Sequence, residues 1–498
     1  MVKRIVSIIL AVCMLGSLAV VVASAEEQPE KSFKYVALGD SIAAGYGLSA
    51  PGTAYDPALV LSEDLIANPV QDAYAQVFGN YLKELCAKCG YDSTATNLSS
   101  TAYRAEDVSK TITTPGYKGV VATYIFEGFV GEGSSALLVP YHDIYAKYLP
   151  EADMVSIQLG ANDIIMGIIF PMIESGNPIL QDIATGVALL LFGQTVETAI
   201  GAGIQLLIRD KDLITSAHIA EAVKYFANVI KDTDSYVERA AANVEEVVNT
   251  VKEVNPTAEI ALVGMFNPYG NSLEYEGQVR DICNVCQNIF VKAIDEAIDI
   301  KIEVGDVEFV PASEAEEKTE DLNEISVEIK EVVVDNSYFD ELRKARAQAL
   351  LTIAVNELAY PIQYLTVGKN TDPQIRLLNT RLQEIADRTG ATFVDVYDIS
   401  NECNTDPHPT KEGHQEIADR LRATMRATVL KEMGVTLGDA NGDGVVSISD
   451  VTAIQRYISE IPVENFNEAA ADLNDDGVVT IDDATLLQLY LAEVPVEI

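Results

Sequence analysis

Apolar residues fall along this chain in two rhythms. Short, mainly apolar runs, Tyr35–Leu38, Met154–Leu159, Glu259–Phe266 and Thr392–Val396, have the length and composition of strands. Between them, Leu82–Cys89, Ile219–Ile230, Val237–Val254, Ile282–Phe290 and Gln374–Thr389 carry apolar residues at helical spacing, and a further helix is predicted from Thr410 to about Met433. Asn255-Pro256 supplies a stop after the second long helix. Strands alternating with helices predict an α/β fold: a three-layer α/β/α body on a parallel sheet, with its site at the carboxyl ends of the strands.

Three stretches break the rhythm. Lys3 and Arg4 precede the apolar run Ile5–Val22, and Ala23-Ser24-Ala25 offers small residues for cleavage, so residues 1–25 read as a signal peptide. Residues 164–208 are apolar, densest over Gly186–Phe192. The polar Gln181, Asp182, Gln194 and Glu197 argue against a bilayer span and for a helical insertion beside the site. An acidic insertion with scattered β-branched residues, about 304–334, reads as a solvated excursion.

Charge narrows the function classes. The chain holds 34 Lys+Arg against 76 Asp+Glu, a net of -42; loss of Lys3 and Arg4 with the leader leaves 32 against 76, a net of −44. Such a surface repels phosphate backbones and anionic lipid, which predicts no nucleic-acid partner and no peripheral membrane binding; with the polar residues of 164–208, no membrane span is expected in the mature chain. No Trp is present, and 22 Tyr would have to provide any sugar-stacking platform. Five cysteines follow the leader: Cys86, Cys89, Cys283, Cys286 and Cys403. The two CxxC pairs read first as buried thiols on helices, with disulfides or a zinc site as alternatives.

Near the C-terminus one twelve-residue pattern occurs twice, 33 residues apart. The first copy offers Asp439, Asn441, Asp443, Val445, Ser447 and Asp450, and the second Asp472, Asn474, Asp476, Val478, Thr480 and Asp483. Side-chain oxygens at positions 1, 3, 5, 9 and 12 and a backbone carbonyl at 7 suit a hard cation, and glycine at position 6 permits the turn. Asp at position 12, where an EF-hand has Glu, and one helix after each loop resemble a type I dockerin over about residues 437–498. The resemblance implies a small all-α module binding two Ca2+ ions and a cohesin module of a scaffolding protein, hence a secreted, extracellular, cellulosome-like setting. Recognition is expected near Ile448, Ser449, Gln455 and Arg456, and near Ile481, Asp482, Gln488 and Leu489. These pairs differ, which argues against a symmetric two-way mode.

Upstream, four blocks stand in order: Gly39-Asp40-Ser41 at the end of a strand, Asn97–Ala102, Gly160-Ala161-Asn162-Asp163, and Asp406-Pro407-His408. Together they resemble the SGNH, or GDSL-type, hydrolase superfamily across about residues 31–433. That resemblance implies Ser41 as nucleophile, His408 as base and Asp406 as the acid, with a backbone carbonyl as the alternative partner of the imidazole. It implies an oxyanion hole of the Ser41 and Ala102 backbone amides and the Asn162 side chain, and no cofactor for catalysis. Two departures stand out: Ala102 takes a position usually held by glycine, and Asp406 lies two residues before the histidine rather than three. The expected function is a secreted serine esterase that deacetylates plant cell-wall polysaccharide. The alternatives are hydrolysis of longer acyl chains, as by a lipase or thioesterase, and a non-catalytic structural or binding subunit.

Overall fold

The computed structural model describes residues 31–48, 61–120, 123, 140–191, 215–267, 368–399 and 408–496. The proposed leader, the acidic insertion, residues 192–208 of the apolar insertion, Cys283, Cys286, Cys403 and Asp406 lie outside the described residues.

Five parallel strands form one sheet in the order β2-β1-β3-β4-β5: β1 Ser32–Gly39, β2 Asp92–Asn97, β3 Met154–Gln158, β4 Glu259–Val263 and β5 Thr392–Val394. The central strand β3 is buried at every residue, the polar Ser156 and Gln158 included, and β1 from Tyr35 onward, which is why both read as mainly apolar runs. Strand β2 is an edge strand, Asp-Ser-Thr-Ala-Thr-Asn, which alternates between exposed and part-buried positions until the buried Thr96.

The helices used below are α1 Ser41–Ala44, α2 Tyr74–Lys88, α3 Ala105–Thr113, α4 Ala161–Glu174, α5 Pro178–Leu191, α6 Ser216–Lys231, α7 Thr233–Val254, α8 Gly368–Thr389, α9 Lys411–Glu432, α10 Ile448–Ile458, α11 Glu468–Ala471 and α12 Ile481–Leu491. Helices α2 and α9 pack on each other; α3, α7 and α8 form a second group, with α7 touching both of the others. Tyr35 of β1 meets Phe78 of α2 edge-on at 5.2 Å, and its hydroxyl shares a 2.7 Å hydrogen bond with Ser156 of β3. Helix and sheet are thereby pinned where β1 runs toward Ser41.

The apolar stretch from residue 164 to 191 forms α4 and α5, broken at 175–177, and the two helices pack on each other. Among the described residues no helix is long and apolar enough to cross a membrane. Cys86 and Cys89 are free thiols on and just after α2, and burial raises both. Residues 437–491 carry three further helices around their own small core of Ala440, Val451, Ile454, Leu473 and Leu487.

Candidate active site and the two acidic loops

β1 ends at Gly39, where an added Cβ would come within 2.4 Å of the Ala43 Cβ and 3.1 Å of the Gln158 carbonyl. Glycine there lets the chain fold into α1 directly off the strand. Asp40 is the N-cap, and its Oδ1 accepts from Ile42 N–H at 3.0 Å. Ser41 is therefore the first helical residue, 8 % exposed, with a hydroxyl not spent on capping. That hydroxyl meets the His408 imidazole, Nε2 to Oγ 2.9 Å, across 367 residues of sequence. The Tyr46 ring lies 5.2 Å from the imidazole.

The other blocks close around this pair through backbone ties. Ser100 N–H donates to the Gly39 carbonyl at 3.1 Å, and Asn97 Nδ2 donates to the Ala43 carbonyl at 2.7 Å. Asn162 sits in the first turn of α4, buried, and donates one amide N–H to the Tyr103 carbonyl at 3.1 Å, one residue past Ala102. Arg104 pairs with Asp107 at 2.8 Å and lies over the Phe170 ring at 5.4 Å, fixing this loop to α3 and α4. Sequence reasoning passed over Asp40, Tyr46 and Arg104. Asp40 stood inside the quoted tripeptide, but nothing in sequence placed the other two beside the site.

Ala102 has φ 64, the left-handed region that costs a residue with a Cβ about 1–2 kcal/mol. The backbone thus takes the conformation a glycine would favour, which answers the first departure noted in sequence. Ala102→Gly is expected to raise unfolding free energy by up to about 1 kcal/mol in urea titration, since relief of strain outweighs added chain entropy. Turnover should stay near the parent's because the amide is unchanged.

Two buried acids flank the site. Burial pushes the Asp40 carboxyl up to about 6, against the lowering effects of the Ile42 amide and the His408 charge. Asp163 is likewise pushed up to about 6 by burial, although Ala105 N–H at 2.7 Å and Asn243 Nδ2 at 2.8 Å donate to it. Each folded-state value lies above the unfolded one of about 3.9, so protonation favours the fold. Their stabilising effect is full below about pH 4 and is lost as pH rises through about 6. Asp40→Asn keeps a capping oxygen and removes a buried charge. It is expected to add about 1–2 kcal/mol at pH 7 and to make the fall in stability between pH 4 and 6 shallower, read by denaturant midpoints across that range.

His414, on α9, is buried with Nδ1 accepting from Tyr74 N–H at 3.2 Å. Burial holds it neutral, lowered to about 3. It is a packing residue that joins α9 to the start of α2.

In the C-terminal repeats the two loops share most of their hydrogen bonds. Asp439 accepts from Asp443 N–H (3.1 Å) and Gly444 N–H (2.9 Å); Asp472 accepts from Asp476 N–H (3.1 Å) and Gly477 N–H (3.1 Å). Asp450 holds Asn441 and Ser447 amides, and Asp483 holds those of Leu473, Asn474 and Thr480. Gly444 and Gly477 have φ 87 and 89, the turn that position 6 requires. Ser447 and Thr480 cap α10 and α12. Among the described residues no three His, Cys, Asp or Glu side chains are grouped as a metal cluster. Here the aspartate oxygens serve loop amides, and the expected donor set also draws on Asn amides, hydroxyls and backbone carbonyls. Those donors and the repeated turn fit a calcium ion by type.

Residues 437–492 match the family described as Dockerin type I domain. No curated protein matches the chain. Among solved structures, an extracellular lipase from Streptomyces rimosus and phospholipase A1 from Streptomyces albidoflavus NA297 are similar in part. Each has 12% identity and a TM-score of 0.31 over 79% of this chain and 99% of the other. A likeness that slight transfers no activity.

Proposed function

We propose that the chain is a secreted serine hydrolase of carboxylic esters, carried on a cohesin-bearing scaffold by its C-terminal module and removing acetyl groups from plant cell-wall polysaccharide. The observation that carries the ester chemistry is the 2.9 Å approach of His408 Nε2 to Ser41 Oγ. A serine hydroxyl attacks poorly until a base takes its proton, and this imidazole is in place to take it. The attacked carbonyl oxygen would then gather charge beside the Ser41 and Ala102 amides and the second N–H of Asn162. Ser41 at a helix start adds the positive end of the α1 dipole. Collapse of the tetrahedral species returns the proton from His408 to the leaving alkoxide, and water then repeats the sequence on the acyl-enzyme. Asp406 remains the proposed partner of the imidazole, with a backbone carbonyl as the alternative.

The match to the Dockerin type I domain implies calcium binding and a cohesin partner. Asp439, Asn441, Asp443, Val445, Ser447 and Asp450 would hold one ion, and Asp472, Asn474, Asp476, Val478, Thr480 and Asp483 the other. Calcium would supply the fixed charge that holds each acidic loop closed. A docking face is supported by apolar side chains exposed at the same positions of both repeats: Val445 and Val478, each 62%, and Ile448 and Ile481, 63% and 53%.

A second reading, hydrolysis of longer acyl chains, has one observation in its favour. Ile165, Ile168 and Phe170 of α4 remain partly exposed on the helix that carries Asn162 in its first turn. A p-nitrophenyl ester series run beside acetate release from acetylated xylan separates the two. Preference for acetyl and release from xylan is expected; a rate rising with chain length up to octanoate overturns the deacetylase assignment. Capture by a type I cohesin should be lost in chelator, and capture that survives calcium removal overturns the calcium part.

A further inference from the structure

The two repeats share their proposed ligand positions and diverge beside them. At loop position 4 the first copy has Gly442, φ 69, and the second has Asp475, φ 55. Both are in the left-handed region, where glycine is at ease and aspartate is strained, so the second copy retains a carboxylate at a backbone cost. That carboxylate pairs with two arginines of α9: Arg422 Nε with Asp475 Oδ2, and Arg426 Nε with Oδ1 at 3.1 Å. Arg426 is only 5 % exposed. Its remaining nitrogens donate to the carbonyls of Ala469 (3.2 Å), Leu473 (3.4 Å) and Asp472, gathering the end of α11 and the start of the loop. Lys88, at the end of α2, lies 3.5 Å from Asp472 Oδ2 and from the Gly477 carbonyl. Ala469 belongs to the main body's apolar core rather than to the module's own. Among the described residues no ion pair joins the body to the first loop.

From this asymmetry we infer that Lys88, Arg422 and Arg426 make the second loop a seat built into the catalytic body, so that ion binding at residues 472–483 stabilises α2 and α9 while ion binding at 439–450 does not. The inference rests on the calcium-loop reading above. An ion that fixes the second loop fixes the carbonyls and the carboxylate that neutralise a nearly buried guanidinium. Loss of that order uncovers the Ala469 contact and leaves Arg426 without its partners. The two helices so gripped are also those that seat the histidine loop. Thr410, two residues past His408, caps α9 by accepting from Gly413 N–H, and His414 of α9 binds Tyr74 at the first residue of α2. Arg422 and Arg426 follow Lys411, the first residue of α9, by three to four helical turns, so the ion seat and the imidazole loop lie roughly 20 Å apart along the axis.

Hydrogen exchange of peptides covering 74–88 and 411–432 in the full chain, with calcium and with chelator, tests it, and calorimetry counts the ions bound. Calcium is expected to slow exchange in both peptides about tenfold in the parent and in Asp443→Ala, which spoils the first loop. In Asp476→Ala, which spoils the second, the slowing should vanish. Asp475→Asn guards against a variant that merely unfolds the module, since asparagine accepts the left-handed backbone and no proposed ligand is touched. It should still bind two ions while calcium protection of 411–432 drops severalfold. Equal dependence on both loops overturns the inference, as does full protection in Asp475→Asn. No calcium bound by the parent removes the loop reading and the linkage with it; calcium bound without protection of α2 and α9 removes the linkage alone.

Discussion

Ser41→Ala is expected to lower kcat/KM for ester substrates by about four to six orders of magnitude, leaving only what oxyanion donors and substrate binding give without a nucleophile. The hydroxyl has no second duty that would blur the result. Capping of α1 falls to Asp40, whose carboxylate takes the Ile42 amide, so alanine at the first helical position keeps the turn. The lost atom is small and the residue is nearly buried, so stability should move by no more than about 1 kcal/mol. Labelling by a fluorophosphonate should disappear in parallel, because the same oxygen attacks phosphorus. A folded Ser41→Ala protein that keeps more than about one per cent of parental turnover would remove Ser41 from the chemistry, and with it the reading of His408 as its base.

Sequence carried the fold where burial is two-sided. The runs beginning at 35, 154 and 259 hold the buried parts of β1, β3 and β4, because a strand covered on both faces is mostly apolar, whereas β5, in the run 392–396, is an edge strand part-buried at Thr392 and Phe393. Helix starts were less legible: apolar periodicity over 219–230 and 374–389 begins three and six residues inside the helices that start at Ser216 and Gly368. A cap such as Thr215 is polar and gives periodicity nothing to register. The pairing of Ser41 with His408 rested on motif order, and their contact at 2.9 Å joins the two ends of the sheet's sequence span. Tyr46 against His408 had no such signal, since an aromatic beside an imidazole is ordinary packing in sequence. In sequence only Gly434–Leu437 stands between the predicted helix ending near Met433 and the first loop, a short join that places module and body close together. It could not say which repeat faces the body, because that choice lies in Lys88, Arg422 and Arg426, which in sequence are ordinary helix-surface cations.

Asn162→Ala is expected to cut kcat by about 10²–10³ with KM changed less than about threefold. The asymmetry follows from what the amide can reach. One N–H is committed to the Tyr103 carbonyl at 3.1 Å, which sets the plane of the group and costs nothing to reorganise during reaction. In the proposed oxyanion hole the second would face the oxygen of an attacked ester, whose negative charge is far greater in the tetrahedral species than in the bound ground state. A donor of this kind lowers the barrier without tightening substrate binding. Removing it also strands the Tyr103 carbonyl in a buried setting, so unfolding free energy should fall by about 1–2 kcal/mol. The two effects separate by measurement. A purely structural asparagine would lose the stability and keep kcat in the surviving folded fraction, whereas an oxyanion donor loses kcat per active site as counted by fluorophosphonate titration. Equal kcat per titrated site in Asn162→Ala and parent would take the side chain out of the oxyanion hole and leave the Ser41 and Ala102 amides to stabilise the charge.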